Sequence, residues 1–332
     1  MSGIDPRRYL LPEADSRRIF TERIAPRELT GISVEHPTVV FVAGQPGAGK
    51  TKTTEAVVRS LDDRGGAVVV NSDYYKPYHP EYHRLLAEED HNAAPYTSLD
   101  GRRWMAMAEQ YLIGRRINTV IETTMRDPGD FLEPARMFRD AGYRTEVVIM
   151  AVPEAQSRLG ILARYHDQVA ALGHGRLTET SNHDASYHGV LQAAGRIDRD
   201  DLIDAVAVYR RGNQLLYANN RTPERQWAQP PGAQAAVETE RHHTWTYPEA
   251  QDFLDTSRRL ATGLGPQWAP QLQEIKNLAR PFLPPGAEAH ADAAVDNQAR
   301  PRRARPAPAT SQEPGPRERD RDRDDLDPGP ER

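Results

Sequence analysis

The chain has 332 residues, 38% hydrophobic and 27% charged, with a formal net charge of −5 and no cysteine. That length allows one large domain or two ordinary ones, and the charge gives no pull toward nucleic acid or an anionic membrane. The missing thiols exclude disulfides and cysteine metal sites, as in a cytoplasmic protein; no apolar run approaches the ~20 residues of a membrane span, and the N-terminus lacks the apolar segment of a signal peptide.

Residues 12–24 read as a short helix with Ile19, Phe20 and Ile24 on one face. Thr38-Val-Val-Phe-Val-Ala43 reads as a buried parallel strand. It runs into Gly44-Gln-Pro-Gly-Ala-Gly-Lys-Thr51, which fits the phosphate-binding pattern G-x-x-x-x-G-K-[ST] at every fixed position. A helix follows from Lys52 to Leu61, closed by Gly65-Gly66. A strand before and a helix after separate a nucleotide loop from a chance match. The glycines let backbone amides curl around phosphate oxygens at a helix N-terminus. Lys50 reaches the β- and γ-phosphates and Thr51 holds Mg²⁺. The expected nucleotide contacts are Gly44, Gln45, Pro46, Gly47, Ala48, Gly49, Lys50, Thr51 and Thr53, for ATP or GTP.

A second buried strand, Ala67–Val70, ends in Asn71-Ser-Asp73. Residues 74–100 are polar and aromatic and read as an irregular insertion. Arg102–Ile113 reads as a helix, with Trp104, Met105, Ala108 and Leu112 inward. Residues 119–121 form a third strand running into Glu122-Thr-Thr124. A helix over 128–141 and a strand over 145–152 follow. Pro153 then opens a long helix to Leu172. Residues 202–210 and 214–217 read as a terminal hairpin, and 247–260 and 267–279 as outer helices. The alternation predicts an α/β fold of the P-loop kinase type, a parallel sheet with helices on both faces. Ligands bind beyond the carboxyl ends of such strands, so the chemistry should converge on the loop, Asp73, Glu122–Thr124 and Pro153. The chain divides into a kinase domain (1–220), a helical extension (221–283) and a tail (284–332). The tail holds nine prolines and no aromatic residue, and its composition predicts disorder.

At its strand end Asp73 can accept the proton of a hydroxyl or bind Mg²⁺ through water, if it is more than a helix cap. Glu122 is placed to help hold Mg²⁺ or grip a substrate hydroxyl. Phosphoryl transfer needs cations over the migrating group, and Arg158, Arg164 and Arg176 are the candidates. His79, His83, His91, His183 and His188 lack a metal-ligand pattern with acids and read as surface or substrate contacts.

In order, these motifs resemble the zeta toxin family, the kinase toxins of epsilon–zeta and related toxin–antitoxin systems. The resemblance runs from Tyr9 to Tyr217 and rests on several segments. They are the loop with its Gln45-Pro46 filling, Asn71-Ser-Asp-Tyr-Tyr-Lys-Pro-Tyr-His-Pro80, Val120-Ile-Glu-Thr-Thr-Met-Arg126, Arg164-Tyr165, Gly175-Arg176 and His183-Asp184. It implies a kinase that uses ATP and Mg²⁺ to phosphorylate the 3′-hydroxyl of UDP-N-acetylglucosamine. Lys50 and Thr51 would serve ATP, and Asp73 would be the base. Arg164 and Arg176 would stabilise the transferred group. Glu122, Thr123, Thr124, Tyr75 and His79 would line the sugar-nucleotide site. A small helical antitoxin would cover the ATP site. Thr123 stands where many members have glycine, and Tyr75 where phenylalanine is common. A P-loop kinase of an antibiotic or metabolite, or a nucleotide switch or ATPase, are the alternatives.

Overall fold

The computed structural model describes residues 5, 7–88 and 90–287. The N-terminal helix runs as α1 (Glu13–Ile19), a π-helical turn (Phe20–Ile24) and α2 (Ala25–Glu28), a turn beyond the expected end. Then come β1 (Thr38–Ala43), α3 (Lys50–Ser60) and β2 (Val68–Val70). Every residue of β1 is buried, which suits the centre of a sheet.

The stretch expected to be an irregular insertion is helical. It forms α4 (Ser72–Tyr75), a 3₁₀ turn (Lys76–Tyr78), α5 (Tyr82–Glu88) and α6 (Asp90–Arg115). Its apolar residues are too sparse to show a period, and the helices are stabilised instead by tertiary packing. Trp104, Ala108 and Leu112 of α6 are fully buried in one cluster with Ile19, Phe20, Ile24 and Leu29 of the N-terminal segment.

Next come β3 (Thr119–Thr123), α7 (Gly129–Asp140), β4 (Arg144–Met150) and α8 (Glu154–Leu172), close to their expected places. A 20-residue helix absent from the sequence reading follows, α9 (Thr180–Arg199). Its buried face consists largely of small residues, among them Ser186, Gly189, Ala193 and Ala194, so no strong apolar stripe marks it. A Cβ on Gly189 would sit 2.0 Å from the Met125 carbonyl oxygen, so backbone approaches backbone there. The expected hairpin is β5 (Ala205–Arg210) with β6 (Gln214–Asn220), and α10 (Ala233–His242), α11 (Tyr247–Gly263) and α12 (Ala269–Ala279) complete the described chain.

The sheet order is β2-β3-β1-β4-β5-β6, with only β6 antiparallel to its neighbour. Ala43 stands opposite Thr123 on one side and Ile149 on the other, so the carboxyl ends of β3, β1 and β4 share one edge. One face of the sheet packs on the large cluster of the N-terminal helices, α6, α7, α9 and α10. On the other face Val40, Val42, Val120 and Val148 meet Leu61 and Val57. Helices α11 and α12 cover α8 through a separate cluster with Leu162, Trp245, Phe253, Leu260 and Ile275. Burying each such side chain is worth about 1.5–3 kcal/mol, so this extension is firmly attached. Ala287 belongs to that cluster and Tyr247 donates to the Pro285 carbonyl, so the first residues of the expected tail are part of the fold. The rest of the expected tail, 288–332, lies outside the described residues. No described helix is long and apolar enough to cross a membrane.

Candidate active site

The phosphate loop bridges β1 and α3. Gly47 and Gly49 have φ of +78° and +89°, values that favour glycine. A Cβ on Gly47 would lie 2.0 Å from the Ser157 carbonyl oxygen, and one on Gly160 would lie 2.5 Å from the Gly47 carbonyl oxygen. Loop and α8 therefore touch backbone to backbone. Lys50 Nζ donates to the Gly44 carbonyl at 2.6 Å and the Gln45 carbonyl at 3.4 Å. Lys50 is half-buried as a residue, but its ammonium is enclosed. That burial, helped by Arg164 and Arg176 and opposed by Glu122 and Asp73, brings its pKa down to about 8. Thr51 is exposed at the start of α3.

Two expected nucleotide contacts are spent inside the protein. Thr53 is buried, and its hydroxyl donates to Asn213 Oδ1 at 2.6 Å, which ties α3 to the β5–β6 turn. The Gln45 side chain points inward, donating to the Val152 carbonyl at 2.8 Å and reaching Ser157 Oγ at 3.2 Å. Only its backbone faces the loop.

Beside the loop, Asn71 caps α4. Its Oδ1 accepts from the Asp73 amide at 2.9 Å, and its Nδ2 donates to Glu122 Oε2 at 2.6 Å. Thr54 donates to the other oxygen of Glu122 at 2.6 Å. Asp73 pairs with Lys76 Nζ at 2.7 Å and Arg176 Nη1 at 2.6 Å. Burial alone would raise the Asp73 pKa, but these two cations hold it well below the usual carboxylate range. Arg164 donates to Thr178 Oγ1 at 2.9 Å, and burial followed by Arg176 lowers its pKa to about 10. Thr123 Oγ1 accepts from the Met125 amide at 3.1 Å, and Thr124 stands half-buried beside it at the strand end. Asp73, Glu122, Arg164 and Arg176 are all close enough to Lys50 to act on its ammonium.

Three further expectations are corrected. Tyr75 is 0% exposed and packs in the main core, so it touches no substrate. The His79 ring is buried, with Nε2 at 3.0 Å from the Tyr9 carbonyl and Nδ1 accepting from the Glu81 amide at 3.2 Å, and it clamps the N-terminal segment. Arg158 is bound by Glu154, Asp184 and Glu274 and is not a free cation over phosphate. His183 meets Ser157 Oγ at 2.9 Å and Asp184 Oδ1 at 2.9 Å. That trio has the make-up of a hydrolase triad, but Ser157 and His183 are both 0% exposed and no substrate reaches them. The sequence reading missed Lys76, one helical turn after Asp73, and Asn71, Thr54 and half-exposed Tyr74. It also missed Arg211, which donates to the Gly47 carbonyl from the β5–β6 turn.

The comparisons with known proteins bear on this site. The zeta toxin family model matches residues 25–222, more than half of the chain. The chain belongs to the zeta toxin family. It is 28% identical to toxin zeta of Enterococcus hirae over 196 residues, 58% of this chain and 66% of that protein. Its match therefore spans just under two thirds of that relative's length. It is 23% identical to toxin PezT of Streptococcus pneumoniae serotype 4 over 186 residues, 56% of this chain and 73% of that toxin. In fold it is similar to a solved chain of the PezAT chromosomal toxin–antitoxin system of Streptococcus pneumoniae, with a TM-score of 0.65 and 18% identity. That likeness covers 77% of this chain and 99% of the other, so it reaches past the family-matched stretch of this zeta toxin relative. The loop, Asp73, Glu122, Arg164 and Arg176 all fall within the matched residues.

Proposed function

We propose that this zeta-family protein is an ATP-dependent kinase that phosphorylates the 3′-hydroxyl of UDP-N-acetylglucosamine and acts as a toxin by blocking cell-wall synthesis. The reading rests on one observation, the carboxylate Asp73 held by Lys76 and Arg176 beside the lysine of a phosphate loop. In the transfer, the acceptor oxygen bonds to the γ-phosphorus as the bond to the β-phosphate oxygen breaks, and the hydroxyl proton passes to Asp73. Asp73 is a weak base when so paired, which suits a loose transition state in which that proton leaves late. Its first task is to orient the hydroxyl. Lys50 leaves the Gly44 carbonyl for the phosphates, while Arg164 and Arg176 offset charge on the equatorial oxygens. The exposed Thr51 hydroxyl is the group that would hold Mg²⁺, which would supply positive charge to the phosphates. Glu122 and Thr124 would contact the sugar nucleotide. We place the activity in the cytoplasm, with a small helical antitoxin over the ATP site as the protein's partner.

A panel of UDP-sugars incubated with the protein, Mg²⁺ and ATP, read by mass spectrometry, tests the proposal. A gain of one phosphate on UDP-N-acetylglucosamine is expected. ATP hydrolysis without transfer to any sugar would overturn the kinase reading.

A further inference from the structure

Beyond the family-matched stretch, α10 sends one side chain to the back of the phosphate loop. Arg241 is 3% exposed. Its guanidinium lies 3.7 Å from the centroid of the Tyr187 ring. Nη1 donates to the Tyr187 carbonyl at 2.8 Å and Nη2 to Gln45 Oε1 at 3.4 Å. Among the described residues no carboxylate forms an ion pair with it, and its buried Nε has no partner. The carboxylate that acts on it, Glu154, is itself paired with Arg158, and a guanidinium enclosed without a direct ion pair is costly. That cost is the sign of a task, and the group it meets is the second residue of the loop.

Gln45 is fully buried and fully engaged. Its Nε2 donates to the Val152 carbonyl at 2.8 Å, so its Oε1 needs a donor, and Arg241 supplies one. With both ends of the amide fixed, its backbone cannot rotate freely. That backbone carbonyl accepts from the Ala48 amide at 3.1 Å and from Lys50 Nζ at 3.4 Å. The turn of the loop and the resting place of its lysine thus depend on an arginine nearly two hundred residues away. Helix α10 is itself held in place. Asp198 accepts from its first two amides at 3.0 and 2.9 Å, and Arg210 of β5 bonds Glu240 at 2.7 Å.

We propose that Arg241 is a positioning residue of the nucleotide site, acting through Gln45, so that the C-terminal extension sets the affinity for the nucleoside triphosphate. The inference rests on the nucleotide reading given above. It is tested by calorimetry of ATP on the full chain and on Arg241→Ala, Arg241→Met, Gln45→Ala and the Arg241→Ala/Gln45→Ala double variant, each with a melting temperature. Arg241→Met keeps the apolar volume and removes the charge and donors, so its melting temperature separates a folded variant with weaker ATP binding from a merely unfolded one. Both Arg241 variants are expected to bind ATP about tenfold more weakly, and the double variant about as weakly as Gln45→Ala alone. Unchanged ATP affinity in Arg241→Met, or losses that simply multiply in the double variant, would overturn the inference. A wild-type chain that fails to bind ATP would overturn the nucleotide reading itself and the inference with it.

Discussion

Lys50 and Asp73 carry the heaviest consequences of any single residues here. Lys50→Ala should reduce phosphoryl transfer by ~10²–10³ while the melting temperature holds, because the change removes one electrostatic contact to the transition state and little packing. Transfer assays beside thermal melts check this. Burial brings the Lys50 pKa to about 8, and a bound triphosphate favours the charged ammonium. Nucleotide binding above pH 8 should therefore take up a proton, and affinity should fall as pH rises through that value. Calorimetry at pH 8.5 in two buffers of different ionisation enthalpy measures the uptake. Asp73→Asn keeps the shape and removes the acceptor, so transfer should fall by roughly 10²–10⁴ while ATP affinity stays within a few-fold. If transfer survives, Asp73 only ties Lys76 and Arg176 together. That the loop, Asp73 and Glu122 meet at one sheet edge was legible because strand ends and a dense motif mark them, while Arg164 and Arg176, on and beyond α8, were reached through the family resemblance. Tyr75, His79 and Thr53 misled because a motif gives the neighbourhood of a residue and not the direction of its side chain.

Helix α6 illustrates what a sequence hides at the next scale. It carries Glu109, 4% exposed, and burial together with Glu133 pushes its pKa up to about 7. The folded chain thus holds that proton more tightly than the unfolded one, whose glutamate titrates near 4.5. The Glu109 contribution is most favourable below pH 4.5 and is lost as pH rises through about 7. Glu109→Gln is expected to raise stability at pH 8 by roughly 2–3 kcal/mol and to have little effect at pH 4. Urea melts at the two pH values check the sign. The part of α6 around Glu109 still reads as a helix in the sequence, and only its first turns, before Arg102, are hidden. Small residues on α9 and polar ones on α4 and α5 obscure their periods in the same way. The strands were plainer, since β1 and β4 are nearly continuous runs of β-branched and apolar residues.

For the whole molecule, the mostly parallel sheet was legible from the alternation of elements, while its strand order and the attachment of α10–α12 depend on pairs remote in sequence. Ending the chain after Ala287 should leave the melting temperature within about 2 °C, whereas ending it at Leu283 removes Ala287 and the Tyr247–Pro285 hydrogen bond and should lower it by several degrees. Calorimetric scans of the two truncations separate these outcomes. The backbone contact of Gly47 with Ser157 and Gly160 has a mechanical meaning as well. It welds Arg164, one turn along α8 from Gly160, to the nucleotide loop as a single rigid body. Arg176 lies past Gly173, where the chain leaves α8 in a left-handed turn with φ of +79°. Arg164 is fixed against the loop, whereas Arg176 is held from two sides, its guanidinium by Asp73 and its amide by Gln168 of α8.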